Sequence, residues 1–372
     1  MRFLMLNWRD PKNPLSGGAE RVSQAYLAAL VQRGHECSWF AYDFPDAPKE
    51  ENVDGIQIHR GGGMVSSIFA AKRWVARQKP FDLIIDQHHG IPWFSNWWGK
   101  TRCVSYIHEV LGPIWNAFYP WPLNWIGRVQ ERWTHWHYRK MPFFTGSQET
   151  RRLLQRVGVK HVSIVNYGTD VRSLDSLPSK PLEPPYRLIV VSRLAPNKRI
   201  DHALDTVVEL LERKLPVELT IVGGGDEERK LKKLVPDLNI YGRVRFTGPL
   251  SEEEKNEELK KAHFIIHTSQ REGWGLNVTE ANAMGTPGAV YPVGGLIEST
   301  LDEKTGVVSK EQTPESLALR IQDAISRPAD YEKWRQAGLE RSRRLHWDNI
   351  LPRACDWFEA MARGENPILE SE

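Results

Sequence analysis

The chain has 372 residues, of which 40% are hydrophobic and 26% are charged, and its formal net charge is +3. This composition is typical of a globular protein, and the small net charge argues against a nucleic-acid partner. No apolar run approaches the roughly 18 residues of a membrane-spanning helix, and the N-terminal residues are expected to form a strand rather than a signal peptide, so a cytoplasmic protein is favoured.

The first part of the chain alternates short apolar runs with segments of helical periodicity, which predicts βαβ units around a parallel sheet. The predicted strands are Arg2–Asn7, Glu36–Tyr42, Asp82–Asp86 and Arg102–Ile107, and the predicted helices cover about 19–33 and 64–78. The proline-rich stretch from Leu177 to Pro185 is the best linker candidate. We therefore expect a first domain over residues 1–176.

A second alternation follows this linker and predicts a second domain over residues 186–345. Its predicted strands are Arg187–Ser192, Glu218–Val222, Val244–Thr247, Phe264–Thr268 and Ala289–Tyr291, with helices after 197, 226, 251 and 274 and from 313 to about 361. A C-terminal helix over 346–372 is expected to cross back to the first domain. The prediction is an α/β protein of two doubly wound, Rossmann-like domains that face each other across a cleft. Ligands of such sheets bind at the carboxyl ends of the strands.

The segment from Arg271 to Glu280 is the most informative motif of the sequence. It places Glu272 at a strand end, a glycine-containing turn after it, and Glu280 one turn into the next helix. The unsatisfied amides at the helix start would bind an anion, helped by the helix dipole. Glu280 would then face ribose hydroxyls, and Glu272 could reach a sugar. The predicted ligand contacts here are Gly273, Trp274, Gly275, Leu276, Asn277 and Glu280.

Two cations follow the first strand of the second domain. Arg193 and Lys198 lie in the strand-to-helix segment Val191–Lys198. Fixed cations stabilise the negative charge that develops on a departing diphosphate without a metal ion. The alternative is a pair of solvated charges at a helix start.

Two glycine-rich turns also follow strands. The segment Ser16–Arg21 opens the first predicted helix, and Gly17 and Gly18 would let the backbone approach a phosphate closely. The second turn, Gly223–Gly225, resembles a dinucleotide loop but has Glu228 in place of its last glycine. An ordinary helix start is the alternative for the first turn, and the second turn alone is weak evidence.

Together these segments resemble glycosyltransferase family 4, the retaining glycosyltransferases of the GT-B fold. The resemblance rests on Glu272 and Glu280 with seven residues between them, on Trp274 between two glycines, and on the Gly-x-Pro that ends at Pro287. It is strong over about 187–300 and loose over 1–170. It implies a nucleotide-diphosphate sugar donor, with UDP favoured and GDP as the alternative, and transfer with retention. It implies no metal and no other cofactor.

The resemblance also assigns roles by position. Gly18 would lie closest to the donor pyrophosphate, Gly224 would belong to the glycine-rich turn of the nucleotide domain, and Leu250 would pack near the base. Glu20 and Arg21 would lie toward the acceptor. Ser192 and Arg199 stand where the family usually has glycine, and the second change predicts a slightly different turn.

Histidines end two strands of the first domain. His108 follows Arg102–Ile107, and the family has a functional histidine there, so we expect it to contact the transferred sugar or the acceptor; a structural histidine is the alternative. His88 and His89 follow another strand, and His89 is assigned to the acceptor side. Without carboxylate or cysteine companions they predict no metal site.

Fifteen tryptophans occur, and eight of them lie between Trp93 and Trp136. Within 111–140 they alternate with arginine and lysine, a mixture suited to a membrane headgroup region. The alternative is that several of them pack the core of the first domain. On the first interpretation the protein contacts the inner face of a membrane and the acceptor is lipid-linked.

The sequence thus predicts a retaining, metal-independent hexosyltransferase that uses a saccharide or lipid-linked acceptor in envelope or exopolysaccharide biosynthesis. Arg193, Lys198, Glu272 and His108 are the predicted catalytic residues. The absence of an Asp-x-Asp motif argues against the metal-dependent class, and Cys37, Cys103 and Cys355 are expected to be reduced thiols. A nucleotide-sugar epimerase or phosphorylase on the same fold, or a sugar- or nucleotide-binding module without turnover, are the alternatives.

Overall fold

The computed structural model describes residues 1–88, 90–112 and 115–370. The chain divides into two compact units, one formed by Met1–Gly168 together with the chain from Trp347 onward and one formed by Thr169–His346. Each unit alternates strands and helices around a largely parallel sheet. Within the described ranges, no helix has both the length and the apolar character needed to cross a bilayer.

The sheet of the first unit is built on an apolar central strand. The described strands are β1 (Arg2–Leu6), β2 (Glu36–Ala41), β3 (Glu50–Val53), β4 (Ile56–Arg60), β5 (Leu83–Gln87), β6 (Arg102–Tyr106), β7 (Phe143–Thr145) and β8 (Val162–Ile164). Their order in the sheet is β3-β4-β2-β1-β5-β6-β7-β8. In β1, Phe3, Leu4, Met5 and Leu6 are completely buried, which is expected of a parallel strand covered on both faces.

One edge of this sheet is a hairpin that the sequence analysis missed. β3 and β4 pair antiparallel, with Val53 opposite Ile56. The turn consists of Asp54 and Gly55, with φ of 51° and 82°. Positive φ at both central residues is typical of a type I′ turn, for which Asp-Gly is a preferred sequence. The Asp54-Gly55 dipeptide was therefore a sequence signal for this hairpin.

The described helices of the first unit up to residue 168 are α1 (Gly18–Gln32), α2 (Ser67–Val75), α3 (Ser95–Trp98), α4 (Trp115–Phe118), α5 (Leu123–Tyr138) and α6 (Gln148–Arg156). α6 begins at a side-chain cap, because Ser147 accepts a hydrogen bond from the backbone N–H of Thr150. The predicted helix over 64–78 is shorter at both ends, since α2 covers only Ser67–Val75.

The second unit contains a wholly parallel sheet. Its described strands are β9 (Tyr186–Val191), β10 (Val217–Val222), β11 (Val244–Gly248), β12 (Phe264–His267), β13 (Gly288–Val290) and β14 (Gly306–Val308). Their order is β11-β10-β9-β12-β13-β14, so the strand order reverses between β9 and β12. Ligands of doubly wound folds bind at such a reversal, beyond the carboxyl ends of the strands.

The described helices of the second unit are α7 (Ile200–Glu212), α8 (Glu228–Asp237), α9 (Glu252–Lys261), α10 (Leu276–Ala283), α11 (Gly294–Ser299), α12 (Pro314–Ile325) and α13 (Pro328–Arg344). α9 starts with a capping box, in which Ser251 and Glu254 each bond the other's backbone N–H. The proline-rich stretch 177–185 belongs to this unit. Within this stretch, Lys180 is buried and donates to the carbonyl of Ala262.

The last helix, α14 (Trp347–Arg363), belongs to the first unit. The long helical periodicity predicted from 313 to 361 is therefore three helices, α12, α13 and α14. α14 packs against α1. The ring of Tyr26 contacts Trp347 and Phe358, with ring centroids 5.8 Å and 5.6 Å apart. These aromatic contacts bury one face of α14 in the first unit.

Candidate active site

The predicted cations and carboxylates of the second unit lie in loops at one edge of its sheet. Arg193 and Lys198 follow β9, Gly224 follows β10, and Glu272 follows β12. β9 lies between β10 and β12 in the sheet. Because neighbouring parallel strands end at the same edge, these three loops meet there.

Lys198 and Glu272 form the central contact of this edge. Nζ of Lys198 donates to Oε2 of Glu272 at 2.5 Å. Nε2 of His267, the last residue of β12, lies 3.5 Å from the same carboxylate oxygen. Lys198, His267 and Asn277 also line one narrow crevice. The structure thus brings together two of the predicted catalytic residues and adds a histidine that the sequence analysis did not name.

The charge states of this cluster follow from its burial. Burial raises the pKa of the Glu272 carboxyl, but the positive charge of the Lys198 ammonium and its hydrogen bond outweigh burial and hold that pKa below its ordinary value. Burial lowers the pKa of His267 to about 4. At neutral pH the cluster therefore holds an ionised carboxylate, an adjacent cation and a neutral imidazole.

The loop that carries Arg193 is held by the backbone of the glycine-rich turn. The N–H of Leu194 donates to the carbonyl of Gly224 at 2.9 Å. A Cβ on Gly223 would lie 2.0 Å from the carbonyl oxygen of Ser192, and one on Gly225 would lie 2.4 Å from that of Leu194. Only glycine permits this backbone-to-backbone contact. It fixes the loop while leaving the Arg193 side chain exposed.

Gly224, the predicted donor contact of this turn, is sterically different from its neighbours. The nearest heavy atom to a Cβ there would be Cγ of Pro249 at 3.5 Å, an ordinary contact.

Arg199, which replaces the glycine usual in the family, has φ 47° and ψ 51°. This left-handed conformation is the one that glycine adopts most easily, so the substitution does not by itself impose a different turn.

The turn before α10 is clamped from the other side by α11. Gly275 is the N-cap of α10 with φ 94°, and a Cβ on it would lie 2.8 Å from Cδ2 of Leu296. A Cβ on Gly295 would lie 2.3 Å from the carbonyl carbon of Gly273. The first N–H groups of α10, at Leu276 and Asn277, have no acceptor within the helix and form its positive end. Their role in binding an anion stays a prediction.

Two of the predicted donor contacts support this turn from within. Trp274 is only 5% exposed, and its Nε1 donates to Oγ1 of Thr279 at 3.3 Å, so the ring packs beneath the turn. Asn277 donates from Nδ2 to the carbonyl of Val191 at 2.8 Å. That bond ties the start of α10 to the end of β9. The side chains of Trp274 and Asn277 therefore shape the turn, whereas Leu276 is half-buried.

Glu280 is engaged in a buried ion pair. Its Oε2 lies 2.9 Å from Nζ of Lys255 on α9, and both side chains are buried. Lys255 also donates to Glu252 at 2.6 Å. In the described part of the chain, no hydrogen bond reaches Oε1 of Glu280.

Leu250, the predicted neighbour of a base, is half-buried and packs against the core cluster that includes Val171.

In the first unit, the predicted phosphate loop forms the start of α1. Gly17 is the N-cap, and its N–H donates to the carboxylate of Glu20 at 2.7 Å. Glu20 is buried, so this carboxylate closes the helix start, whereas Arg21 is exposed. Their roles toward an acceptor stay predictions. His89 lies outside the described residues.

His108 is part of a buried hydrogen-bond network at the ends of β5 and β6. Oγ of Ser23 donates to Oε1 of Gln87 at 2.6 Å. Nε2 of Gln87 lies 3.0 Å from Nε2 of His108, and Nδ1 of His108 lies 2.8 Å from the hydroxyl of Tyr167. An amide nitrogen can only donate, so Nε2 of His108 accepts and its proton sits on Nδ1. Gln87 thereby sets the tautomer of His108.

His88, which follows β5, is only 1% exposed. Its Nδ1 lies 3.4 Å from Oδ1 of Asp86, which is itself buried and accepts from the hydroxyl of Tyr138 at 2.9 Å. His88 is thus a core histidine. In the ranges that the structure describes, no three His, Cys, Asp or Glu side chains are grouped so as to bind a metal.

Four contributors to these sites were not predicted: His267, Lys255, Gln87 and Tyr167. His267 could have been found, because it lies near the end of the predicted strand Phe264–Thr268, five residues before Glu272. Lys255 and Gln87 carry no local signal, since they lie 25 and 21 residues from the side chains that they contact. Only the packing of helices and the register of strands brings them there.

Two glycosyltransferase family models match most of the chain, which belongs to glycosyltransferase family 4. The profile described as Glycosyltransferase Family 4 matches residues 16–173, and that described as Glycosyl transferases group 1 matches residues 176–341. The protein is a glycosyltransferase, and its fold is GT-B.

Two sequence relatives differ in how much of the chain they match. Glycogen synthase of Mycobacterium tuberculosis is 26% identical over 220 residues, which is 57% of this chain but only 53% of that protein. The chain therefore spans about half the length of that relative. An uncharacterised glycosyltransferase of Methanocaldococcus jannaschii is 29% identical over 388 residues, which cover 96% of this chain and 98% of the relative.

Solved structures show the same fold at low sequence identity. Sucrose-phosphate synthase from Thermosynechococcus elongatus superposes with a TM-score of 0.80 at 20% identity, covering 97% of this chain and 98% of that one. Anabaena HepE, solved in complex with UDP-glucose, gives a TM-score of 0.73 at 15% identity, covering 97% of this chain and 100% of that one.

Proposed function

We propose that this glycosyltransferase moves a hexose from a UDP-sugar to a saccharide or lipid-linked acceptor with retention at the anomeric carbon. The Lys198–Glu272 pair beside the N-terminus of α10 carries the proposal, because it combines a fixed cation, an ionised carboxylate and a helix dipole at one sheet edge. Support for UDP comes from the structural neighbour HepE, which was solved with UDP-glucose.

In the proposed reaction the bond from the anomeric carbon to the β-phosphate oxygen breaks, and the acceptor hydroxyl forms its bond on the same face. The hydroxyl proton passes to an oxygen of the departing UDP. Lys198, Arg193 and the amides at Leu276 and Asn277 stabilise the charge on that diphosphate. Glu272 and His108 orient the sugar, Glu280 holds the ribose, and Gly17 and Gly18 allow close approach of the backbone to the pyrophosphate. No metal or cofactor takes part.

The acceptor and its place belong to the same proposal. We assign the enzyme to envelope or exopolysaccharide biosynthesis and to the cytoplasmic side of a membrane. Support comes from exposed tryptophans in α5, which suit a lipid-linked acceptor, and from a structural neighbour named as a glycosyltransferase of lipopolysaccharide biosynthesis.

The reaction class is tested with a UDP-sugar labelled in the sugar and an acceptor mixture. Label should appear in the acceptor with an α-linkage from an α-linked donor, and free UDP should appear only when acceptor is present. An isomerised donor would identify an epimerase, sugar 1-phosphate formed from the unlabelled saccharide acceptor and added inorganic phosphate would identify a phosphorylase, and binding without any product would identify a binding module.

The residue assignments are tested with Arg193→Ala and Lys198→Ala. Each should lower kcat/KM for the donor at least about a hundredfold, the usual effect of removing one preorganised group that stabilises transition-state charge. Lys304→Ala, which removes an exposed cation of the same unit, is the control. Parent-like rates in both site variants would contradict the assignment.

A further inference from the structure

The helix α5 has its polarity reversed. The residues that it buries are Gly127, Glu131, Thr134, His135 and Tyr138, whereas its large apolar side chains are exposed. A helix at the surface of a soluble unit normally turns its apolar stripe inward. The exposed stripe therefore calls for a second surface that covers it.

The orientation of α5 is fixed by contacts of its inward face. The two carboxylate oxygens of Glu131 accept from the N–H groups of Leu111 and Gly112 at 2.6 Å and 2.9 Å. A Cβ on Gly127 would lie 2.3 Å from the ring of Trp115, so that ring packs directly on the helix backbone. With this face held, α5 cannot rotate to bury its apolar stripe.

The outward stripe is narrow and continuous. At 100° per residue, its five apolar members fall within an arc of about 100°. They are Trp125, Ile126, Val129, Trp133 and Trp136, which are 60%, 51%, 46%, 44% and 54% exposed. Such a spacing presents all of them to one flat surface.

Neighbouring residues extend the stripe into a patch. The ring of Trp133 contacts Phe94 at 6.1 Å, and Phe94 stacks on Trp97 at 4.8 Å. Trp97 is exposed, and Trp121, just before α5, is the most exposed tryptophan of this group. We call Trp97, Trp121 and the five α5 residues the aromatic patch. A contiguous apolar surface of this kind marks an interaction site.

The outward-facing charges of α5 and its flanking residues, 121–140, are all positive. Arg128 and Arg132, four residues apart, lie along one flank of the stripe, and Arg139 stacks over the ring of Trp136 at 4.1 Å. Glu131 is the one acidic residue among 121–140, and it faces inward. The partner should therefore be apolar at its centre and negatively charged at its surface.

We propose that the aromatic patch is a docking surface for an anionic lipid leaflet, with α5 lying parallel to the membrane plane. Indole rings favour the boundary between headgroups and acyl chains, and arginines beside them attract anionic headgroups. A second protein copy would match the apolar stripe but not its purely cationic border. The inference rests on the proposed function only for the lipid-linked acceptor. Binding of the aromatic patch to a leaflet does not depend on catalysis.

The experiment measures partitioning of the whole protein onto vesicles of phosphatidylcholine with and without phosphatidylglycerol, in the absence of donor. The protein should bind the anionic vesicles, with a blue shift of tryptophan fluorescence. Trp125→Ala/Trp133→Ala should weaken binding at least about tenfold, because two large apolar side chains are lost from the contact. Arg128→Glu/Arg132→Glu should weaken it about 25-fold or more, since each arginine strengthens partitioning roughly fivefold.

The matched control is Tyr241→Ala, which removes an 86% exposed aromatic ring from the second unit and should leave partitioning unchanged. Circular dichroism and the thermal midpoint show that each variant is folded, and the midpoint shift on adding UDP is recorded in parallel. Absence of vesicle binding by the parent would overturn the proposal while UDP binding stays intact. The proposal would also be overturned, in favour of a second copy, if the parent does not bind vesicles and sediments as a dimer while the tryptophan variant sediments as a monomer.

Discussion

The ammonium of Lys198 lies 2.5 Å from the Glu272 carboxylate, although the two residues belong to loops after different strands. The contact holds a long, flexible cation in one position at the sheet edge. It also keeps the carboxylate ionised, because the adjacent positive charge opposes the effect of burial on its pKa. The pair therefore fixes the place of both side chains and the charge of Glu272.

Replacing Glu272 by glutamine should show the effect of its charge separately from that of its shape. Glu272→Gln removes the negative charge but keeps the shape, so Lys198 loses its anchor and the sugar loses a charged acceptor. We expect kcat to fall about a hundredfold, with little change in the thermal midpoint because the pair is partly solvated. Lys260→Ala/Glu257→Gln, which removes a pair of 2.6 Å on α9, should leave kcat unchanged. Parent-like kcat in Glu272→Gln would contradict the role.

The glycine-rich turn gives a second prediction, in which neighbouring glycines behave differently. Gly223→Ala forces a Cβ to within 2.0 Å of the Ser192 carbonyl at φ 125°, and should cost about 1–3 kcal/mol or more in the free energy of unfolding. Gly224→Ala has room and should keep the parent's stability, but should weaken donor binding if the pyrophosphate approaches there. Urea unfolding and UDP titration measure both; unchanged UDP affinity in Gly224→Ala would refute its donor role.

The positions of strands and of strand-end residues could be predicted because each depends on local pattern. Apolar runs such as Arg187–Ser192 and the motif around Glu272 carry their own periodicity and turn chemistry. The strand β9 lies within one residue of the predicted bounds at either end. The three-residue strands β7, β8 and β14 were not predicted, whereas β13, equally short, was predicted because it follows the Gly-x-Pro that ends at Pro287.

Contacts between distant segments could not be predicted, because they depend on register and packing. Gln87 meets His108 because β5 and β6 pair with Gln87 beside Tyr106. The tryptophans show the same limit: Trp93 is completely buried and Trp125 is exposed, although both occur in similar aromatic sequence. Which side of α5 faces inward is decided by Glu131 and its backbone partners, not by hydrophobicity.

The buried pair of Lys255 and Glu280 gives a stability prediction. Lys255→Met leaves an uncompensated carboxylate in the interior and should lower the free energy of unfolding by about 3–5 kcal/mol. Adding Glu280→Gln should recover most of this loss, because the remaining amide is neutral. Glu280→Gln alone should weaken UDP binding about tenfold through the ribose. Urea unfolding of the parent, the two single variants and the double variant completes the double-mutant cycle. A Lys255→Met variant as stable as the parent would contradict the prediction.

The pH dependence of stability should reflect His263. The histidine is completely buried, its Nδ1 accepts from the N–H of Arg187 at 3.0 Å, and burial lowers its pKa to about 4. The unfolded chain binds this proton near pH 6.5, so the stabilisation is complete above that pH and is lost as the pH falls toward 4. The slope should reach about 1.4 kcal/mol per pH unit for this group. His263→Asn should flatten the curve of unfolding free energy against pH; an unchanged slope would contradict the assignment.

The last prediction concerns the network that sets the tautomer of His108. Gln87→Leu removes the amide donor to Nε2 while the Nδ1 contact with Tyr167 at 2.8 Å remains, so the ring is free to shift its proton and to tilt. If the ring orients the sugar, kcat should fall about 10- to 100-fold while KM for the donor changes little, because small misplacements of a reacting group cost that much. Gln336→Leu, on the exposed face of α13, is the control. Nitrogen-15 spectra of the histidine rings, assigned with His108→Gln, should show the Nδ1–H tautomer in the parent and a mixture in Gln87→Leu. If kcat falls without a change of tautomer, Gln87 is a packing residue only. If kcat is unchanged, the positioning of His108 by Gln87 has no role in the mechanism.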